Sequence, residues 1–219
     1  MAINISGLLK SELYAQPPNA DSVHALALLR ENYSQRKKIP AAFEPEILKA
    51  LSFFPELKNH RIDFVIRKGH APLSARPTFG GLLRNAGKRK YKVFISSGMK
   101  GDWNNFTLKN TPYDARVGVL GHELSHVKNF AKMSGISLIG LGINHVSKSY
   151  MNRFEYQTDS LCIAQGMGEY LLACSIFARK IFNSPDPEQL HVEGVRGNYS
   201  ERYMSPSTIR LYMADLKAK

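Results

Sequence analysis

Apolar residues recur along the 219-residue chain at two spacings, and the change from one to the other separates helical from extended stretches. Leu26, Leu28 and Leu29 predict a helix from Val23 to about Arg36, with Asp21 or Ser22 as its cap. Ile47, Leu48, Leu51, Phe54 and Leu57 form the buried stripe of a second helix, Phe43 to Leu57. Ile62, Phe64 and Ile66 then alternate with Arg61, Asp63 and Arg67, the pattern of a half-buried strand, and Tyr91, Val93 and Ile95 repeat it. The residues between, 68 to 90, are rich in Gly and Pro and predict a long loop or irregular hairpin.

From Thr111 the helical period returns. Thr111 reads as an N-cap, Pro112 as the first helical residue and Asp114 as the acid of a capping box. Val117, Leu120, Leu124, Val127 and Ala131 give one apolar face, while Val119, Phe130 and Met133 line the other, so this helix is expected to be interior. Residues 134 to 148 are apolar and Gly-containing, a packed connection or lid well short of the roughly 20 apolar residues that cross a bilayer. Lys148 to about Phe182 reads as one long helix with Leu161, Ala164, Leu171, Leu172, Ile176 and Phe177 inward. Gly166 and Gly168 mark a kink or close contact in it. A loop over 183 to 203 leads to a last helix, Ser207 to about Lys217, with Ile209, Tyr212, Met213 and Leu216 inward.

Together these elements predict an α+β fold, mainly helical, with a small sheet of two to four strands flanking a buried helix. The expected organisation is a single domain, 1–219: a helical part at 1–60, a core at 61–182, and a loop and helix at 183–219.

Composition adds a charge problem. Thirty Lys and Arg against 18 Asp and Glu give +12, which favours an anionic partner such as nucleic acid, an acidic lipid surface or acidic protein. The basic runs, 36–38 and 88–92, are short and read as solvated loop or strand edge, and no helix-turn-helix, zinc-finger or RNA-recognition signature accompanies them. Cys162 and Cys174 share one apolar helical stretch, too far apart to bridge, and read as buried thiols. The N-terminus lacks the basic start and continuous apolar run of a secretion signal, so a cytoplasmic location without a transmembrane segment is expected.

The chemistry lies on the interior helix. His122, Glu123 and His126 form H-E-x-x-H, and residues four apart on a helix share a face, so two imidazoles can converge on one ion. Glu123 stands a third of a turn away, placed to act on a water rather than to bind the metal. Glu155 completes a His, His, Glu set for Zn2+, with a fourth position open. Asp159, one turn after Glu155, is expected to accept a hydrogen bond from the far nitrogen of His122 or His126. His145 is a weaker rival as third ligand, since it lacks an acidic residue four positions on.

H-E-L-S-H followed by E-Y-Q-T-D resembles the gluzincin zinc metallopeptidases, and within them the family of heat-shock membrane proteases and CAAX prenyl endoproteases. The resemblance covers residues 112 to 165. It implies a zincin-like fold, one Zn2+ held by His122, His126 and Glu155, Glu123 as general base and acid, and Asp159 supporting a ligand. It also implies a strand that binds extended substrate by strand addition, for which residues 91 to 97 are the candidate. The chain departs from the family in lacking its transmembrane helices, and Ser205-Pro206 before Arg210 stands where the family has His-Pro and Arg. A donor opposite the metal is sought among His191, Tyr199, Arg202 and Tyr203, with Tyr203 preferred. The expected activity is zinc-dependent endopeptidase action on protein or peptide. The alternative is a zinc-stabilised pseudo-enzyme or basic protein that binds an anionic partner.

Overall fold

The computed structural model describes residues 20–82, 84, 86–144, 147–184 and 202–218. It is mainly helical with a four-stranded mixed sheet, an α+β architecture. Helix α1, Ala20–Tyr33, begins before the expected cap at Asp21 or Ser22, and buries Leu26 and Leu29 in part. Leu28 faces out at 47% exposure, because α1 lies on the surface and covers only a narrow stripe of its neighbour. Arg36, in the left-handed region at φ 60°, closes the turn into β1, Lys37–Lys38.

The expected second helix is divided: α2 is Glu44–Ser52, and Pro55, which cannot continue a helix, opens a separate 3-10 turn, Pro55–Leu57. All five residues of its predicted stripe are nonetheless buried.

The sheet contains β2, Arg61–Arg67, β3, Leu73–Pro77, and β4, Lys90–Ser96, in the order β1-β2-β4-β3. β2 runs parallel to β4, and β3 runs antiparallel to it. Ile62, Phe64, Tyr91, Val93 and Ile95 are buried as their alternation requires, but Ile66 is 42% exposed near the strand's end. Residues 91 to 97 are therefore not the edge. β4 is paired on both sides, and the edge belongs to β3, which lies within the stretch expected to be a loop. Its sequence, LSARP, suits that place. Ser96 N–H bonds the Pro72 carbonyl and Thr78 N–H bonds that of Lys90, so even-numbered residues face β4. The backbone groups of Leu73, Ala75 and Pro77 then point to the free side, where the missing N–H of Pro77 costs nothing. A short helix, α3, Phe79–Leu82, follows.

Helix α4, Tyr113–Lys132, is the interior element, packed against α2, β3 and the two later helices α6, Lys148–Cys162, and α7, Gly168–Ile181. Val117, Leu120, Leu124 and Val127 are fully buried, each worth roughly 2 kcal/mol of transfer free energy, and Ala131 is partly covered. Its N-terminus differs from expectation. Pro112 is the cap position, and the Thr111 hydroxyl turns back to donate to the Thr107 carbonyl (2.9 Å) rather than capping α4. After α4 comes α5, Gly135–Asn144, which buries Leu138 and Leu141.

α6, Lys148–Cys162, passes through a π-turn into α7, Gly168–Ile181. Gly166, at φ 84°, makes the bend where a side chain would be strained. By length and composition the run Lys148–Ile181 could cross a membrane, yet it is bent and holds Glu155 and Asp159 buried against α4. Ala164 and Ile176 face outward, contrary to expectation, because α4 and the last helix cover only part of the run's circumference. α8, Pro206–Lys217, is capped by Ser205 and packs on α7 through Ile209, while Leu216 is 46% exposed in its last turn.

Candidate metal and catalytic site

Two glycines set how closely the site's helices approach. A Cβ on Gly118 would lie 2.0 Å from the Tyr170 carbonyl oxygen of α7, and one on Gly121 would lie 2.4 Å from Met167 Sδ. α4 therefore rests against the bent α6–α7 run with almost no spacing, and residues 155, 158 and 159 reach the histidines one helix away.

His122 and His126 stand with ring centroids 4.7 Å apart and planes nearly perpendicular. Both Nε2 atoms lie 3.1 Å from Glu155 Oε2. The three residues are buried, and their ligand atoms fall within 4.8 Å of one another, the geometry of a group that could hold a metal ion. The other ring nitrogens are engaged. His122 Nδ1 lies 2.7 Å from Asp159 Oδ1, and Asp159 Oδ2 accepts the Met204 N–H at 2.8 Å. His126 Nδ1 lies 3.3 Å from the Thr158 hydroxyl, which gives its own hydrogen to the Phe154 carbonyl at 2.9 Å and so acts as acceptor. With hydrogens on both Nδ1 atoms, the neutral rings turn their Nε2 lone pairs inward. Phe130 and Phe154 lie nearly parallel to the His126 ring, at 5.9 and 5.1 Å, and pack against it and against each other.

Without a cation the group is a tight ionic cluster. Burial opposes charge on His122, but hydrogen bonds to Asp159 and Glu155 outweigh it and hold its pKa well above the usual value. Burial likewise opposes charge on Glu155, yet its bonds to the two imidazoles hold it far below the ordinary carboxylate range. Glu123 differs. Burial raises its pKa, and the nearby histidines and the Ala75 N–H of β3 offset this only in part. Its Oε2 is buried with no hydrogen-bond partner. A buried carboxylate oxygen without a partner costs free energy, so its survival beside two imidazoles asks for a ligand or water there.

A cavity of about 620 Å³ starts at His122 and Glu123 and runs between α4 and α7 to Phe106, Trp103 and Phe182, three rings that pack together. Tyr203 and Arg202 stand at the His122 end. The Tyr203 ring meets that of His122 edge-on at 5.6 Å, and burial together with the Glu155 charge pushes its hydroxyl pKa up. Arg202 Nη2 lies 3.5 Å from Glu155 Oε1. The sequence candidates His122, Glu123, His126, Glu155, Asp159, Arg202 and Tyr203 are thus gathered in one place, whereas His145, His191 and Tyr199 lie outside the described residues.

Sequence reasoning missed Thr158, although it stands three residues after Glu155 on the same helical face. It also missed Ala75, whose contact with Glu123 depends on a non-local strand pairing, and the two spacer-free glycines, visible in the sequence as Gly118 and Gly121 ahead of His122. Comparison of the chain with protein families, curated proteins and solved structures finds no match, so the site's chemistry is judged from its geometry.

Proposed function

We propose that the chain is a zinc-dependent metalloendopeptidase of gluzincin type, acting on an extended protein or peptide segment. The observation that supports this most is the convergence of two Nε2 atoms and a Glu155 oxygen beside the partnerless Oε2 of Glu123. Two neutral imidazoles and a carboxylate suit zinc, which when bound supplies a Lewis acid for the scissile carbonyl and lowers the pKa of water to about 7.

The remaining work falls to side chains. Glu123, with its raised pKa, takes a proton at Oε2 from the attacking water and returns it to the departing amine. The Ala75 N–H of β3 faces the carboxylate and favours its charged form. Tyr203, with its pKa raised, stays protonated through the working range and offers its hydroxyl to the oxyanion. Leu73 and Ala75 present outward carbonyls, to which an extended substrate adds as a further antiparallel strand. The apolar cavity receives a substrate side chain.

Glu123→Gln tests the assignment. It should keep the metal and lose hydrolysis by about 10³-fold, in the range ascribed to a general base, while Glu155→Ala should lose metal. Hydrolysis by the Gln variant at the parent rate would remove Glu123 from the role. A parent protein that holds zinc with a protein side chain in the fourth position and cleaves nothing would favour the structural-metal alternative.

A further inference from the structure

The excess positive charge is localised. No acidic residue occurs between Asp63 and Asp102, or between Glu123 and Glu155, and these two segments carry thirteen Lys and Arg. The rest of the chain has seventeen basic against eighteen acidic residues, so the whole of the +12 arises from the two acid-free stretches. The fold joins them. The buried Arg89 guanidinium donates to the carbonyls of Gly81 and Arg84 on one side and of Phe130 and Met133 on the other. That bond set fastens the end of α3 to the C-terminal end of α4, just ahead of α5, and α3 and α5 touch.

At this junction large apolar side chains face solvent. Phe79 on α3 is 86% exposed, and Ile136 and Ile139 on α5 are 84% and 53% exposed, while Leu138 and Leu141 on the other side of α5 are buried. α5 is thus apolar on both faces, only one of which the fold covers. Arg84, Lys88 and Lys132, all exposed, lie within a few residues of the four carbonyls that Arg89 gathers.

We propose that this tip docks on an anionic lipid surface. Exposed isoleucine and phenylalanine insert into the headgroup and acyl boundary, and the exposed Arg84, Lys88 and Lys132, in stretches of sequence without acids, are drawn to acidic headgroups. A nucleic acid would use the charge but gain nothing from Ile136 and Ile139, which offer no stacking face. Phe79 follows Ala75 by four residues, so no more than about 14 Å of chain separates the tip from the free edge at the candidate site. Docking would bring that edge to a membrane. The proposal does not depend on the peptidase reading.

Co-sedimentation of the full chain with vesicles of phosphatidylcholine, with and without phosphatidylglycerol, tests it. Binding is expected only with phosphatidylglycerol, weakening as salt rises. Ile136→Ser with Ile139→Ser should weaken it about tenfold or more, whereas Leu211→Ser, at an exposed leucine of α8, should not. Unchanged metal content and thermal unfolding would show the variants to be folded. No vesicle binding, binding indifferent to the isoleucines, or binding equal on neutral vesicles would overturn the proposal. So would a dimer in solution that the same double variant abolishes without any effect on vesicles, or nucleic-acid binding lost on Lys88→Glu with no vesicle binding.

Discussion

Two regions of this molecule break the ordinary sorting of polar and apolar side chains, and they break it in opposite senses. Between α4 and α6, His122, Glu123, His126, Glu155 and Asp159 are all buried. At the α3–α5 tip, Phe79, Ile136 and Ile139 are all exposed. Burying an ion costs several kcal/mol unless it is paired, so the inner group persists only because nearly every polar atom in it has a partner. Exposing a large apolar side chain is cheap by comparison, and three of them on stretches of sequence that lack acids carry weight only together. The inner region is therefore rigid and intolerant of change. The tip is free to vary without loss of fold, and what it loses when varied is contact with something else.

Gly118→Ala should mark the first region most sharply. The new Cβ would meet a backbone oxygen, which cannot swing aside, so α4 and α7 must separate. A loss of about 3 kcal/mol is expected, at the upper end for overpacking, together with weaker metal binding; chemical denaturation reads the first. Parent-like stability would mean the helices are not so close.

The two histidine partners come next. Asp159 is a carboxylate at 2.7 Å and Thr158 a neutral hydroxyl at 3.3 Å, so Asp159→Asn should weaken metal affinity by about 10- to 100-fold and Thr158→Val by less. Competition with a chelator gives the order, and a reversal would break the assignment of roles. Smaller still, Ile136→Ser should shift stability by no more than about 0.5 kcal/mol, as surface changes do. Finally, burial pushes the Cys174 thiol up to about 12 and raises that of Cys162 as well, so neither should react with a thiol reagent at neutral pH until the chain unfolds. Rapid modification of the folded protein would show the interior to be looser than drawn.

The juxtaposition of His122, His126, Glu155 and Asp159 was legible in the sequence because each pair lies four apart on a long helix, where period fixes face. The buried stripes of α2 and α4 were legible for the same reason. What failed was whatever depended on a neighbour. Leu28, Ile66, Ala164, Ile176 and Leu216 have the right spacing to point inward, but nothing in the sequence says how much of each element is covered. β3 escaped notice because Pro72 before it and Pro77 at its end read as loop, and the strand is defined by pairing with β4 rather than by its own propensity. That error moved the sheet edge by one strand. The charge pattern was readable too, but its origin in two stretches that lack acids shows only when acids are counted as well as basic runs.

The measurement that bears most directly on the central claim is elemental analysis of the full chain purified without added metal, beside its Glu123→Gln and Glu155→Ala variants. About one zinc per chain in the parent and in Glu123→Gln, and almost none in Glu155→Ala, is the predicted result. Zinc retained undiminished in Glu155→Ala, or no divalent metal bound by any of the three even when supplied, would contradict it.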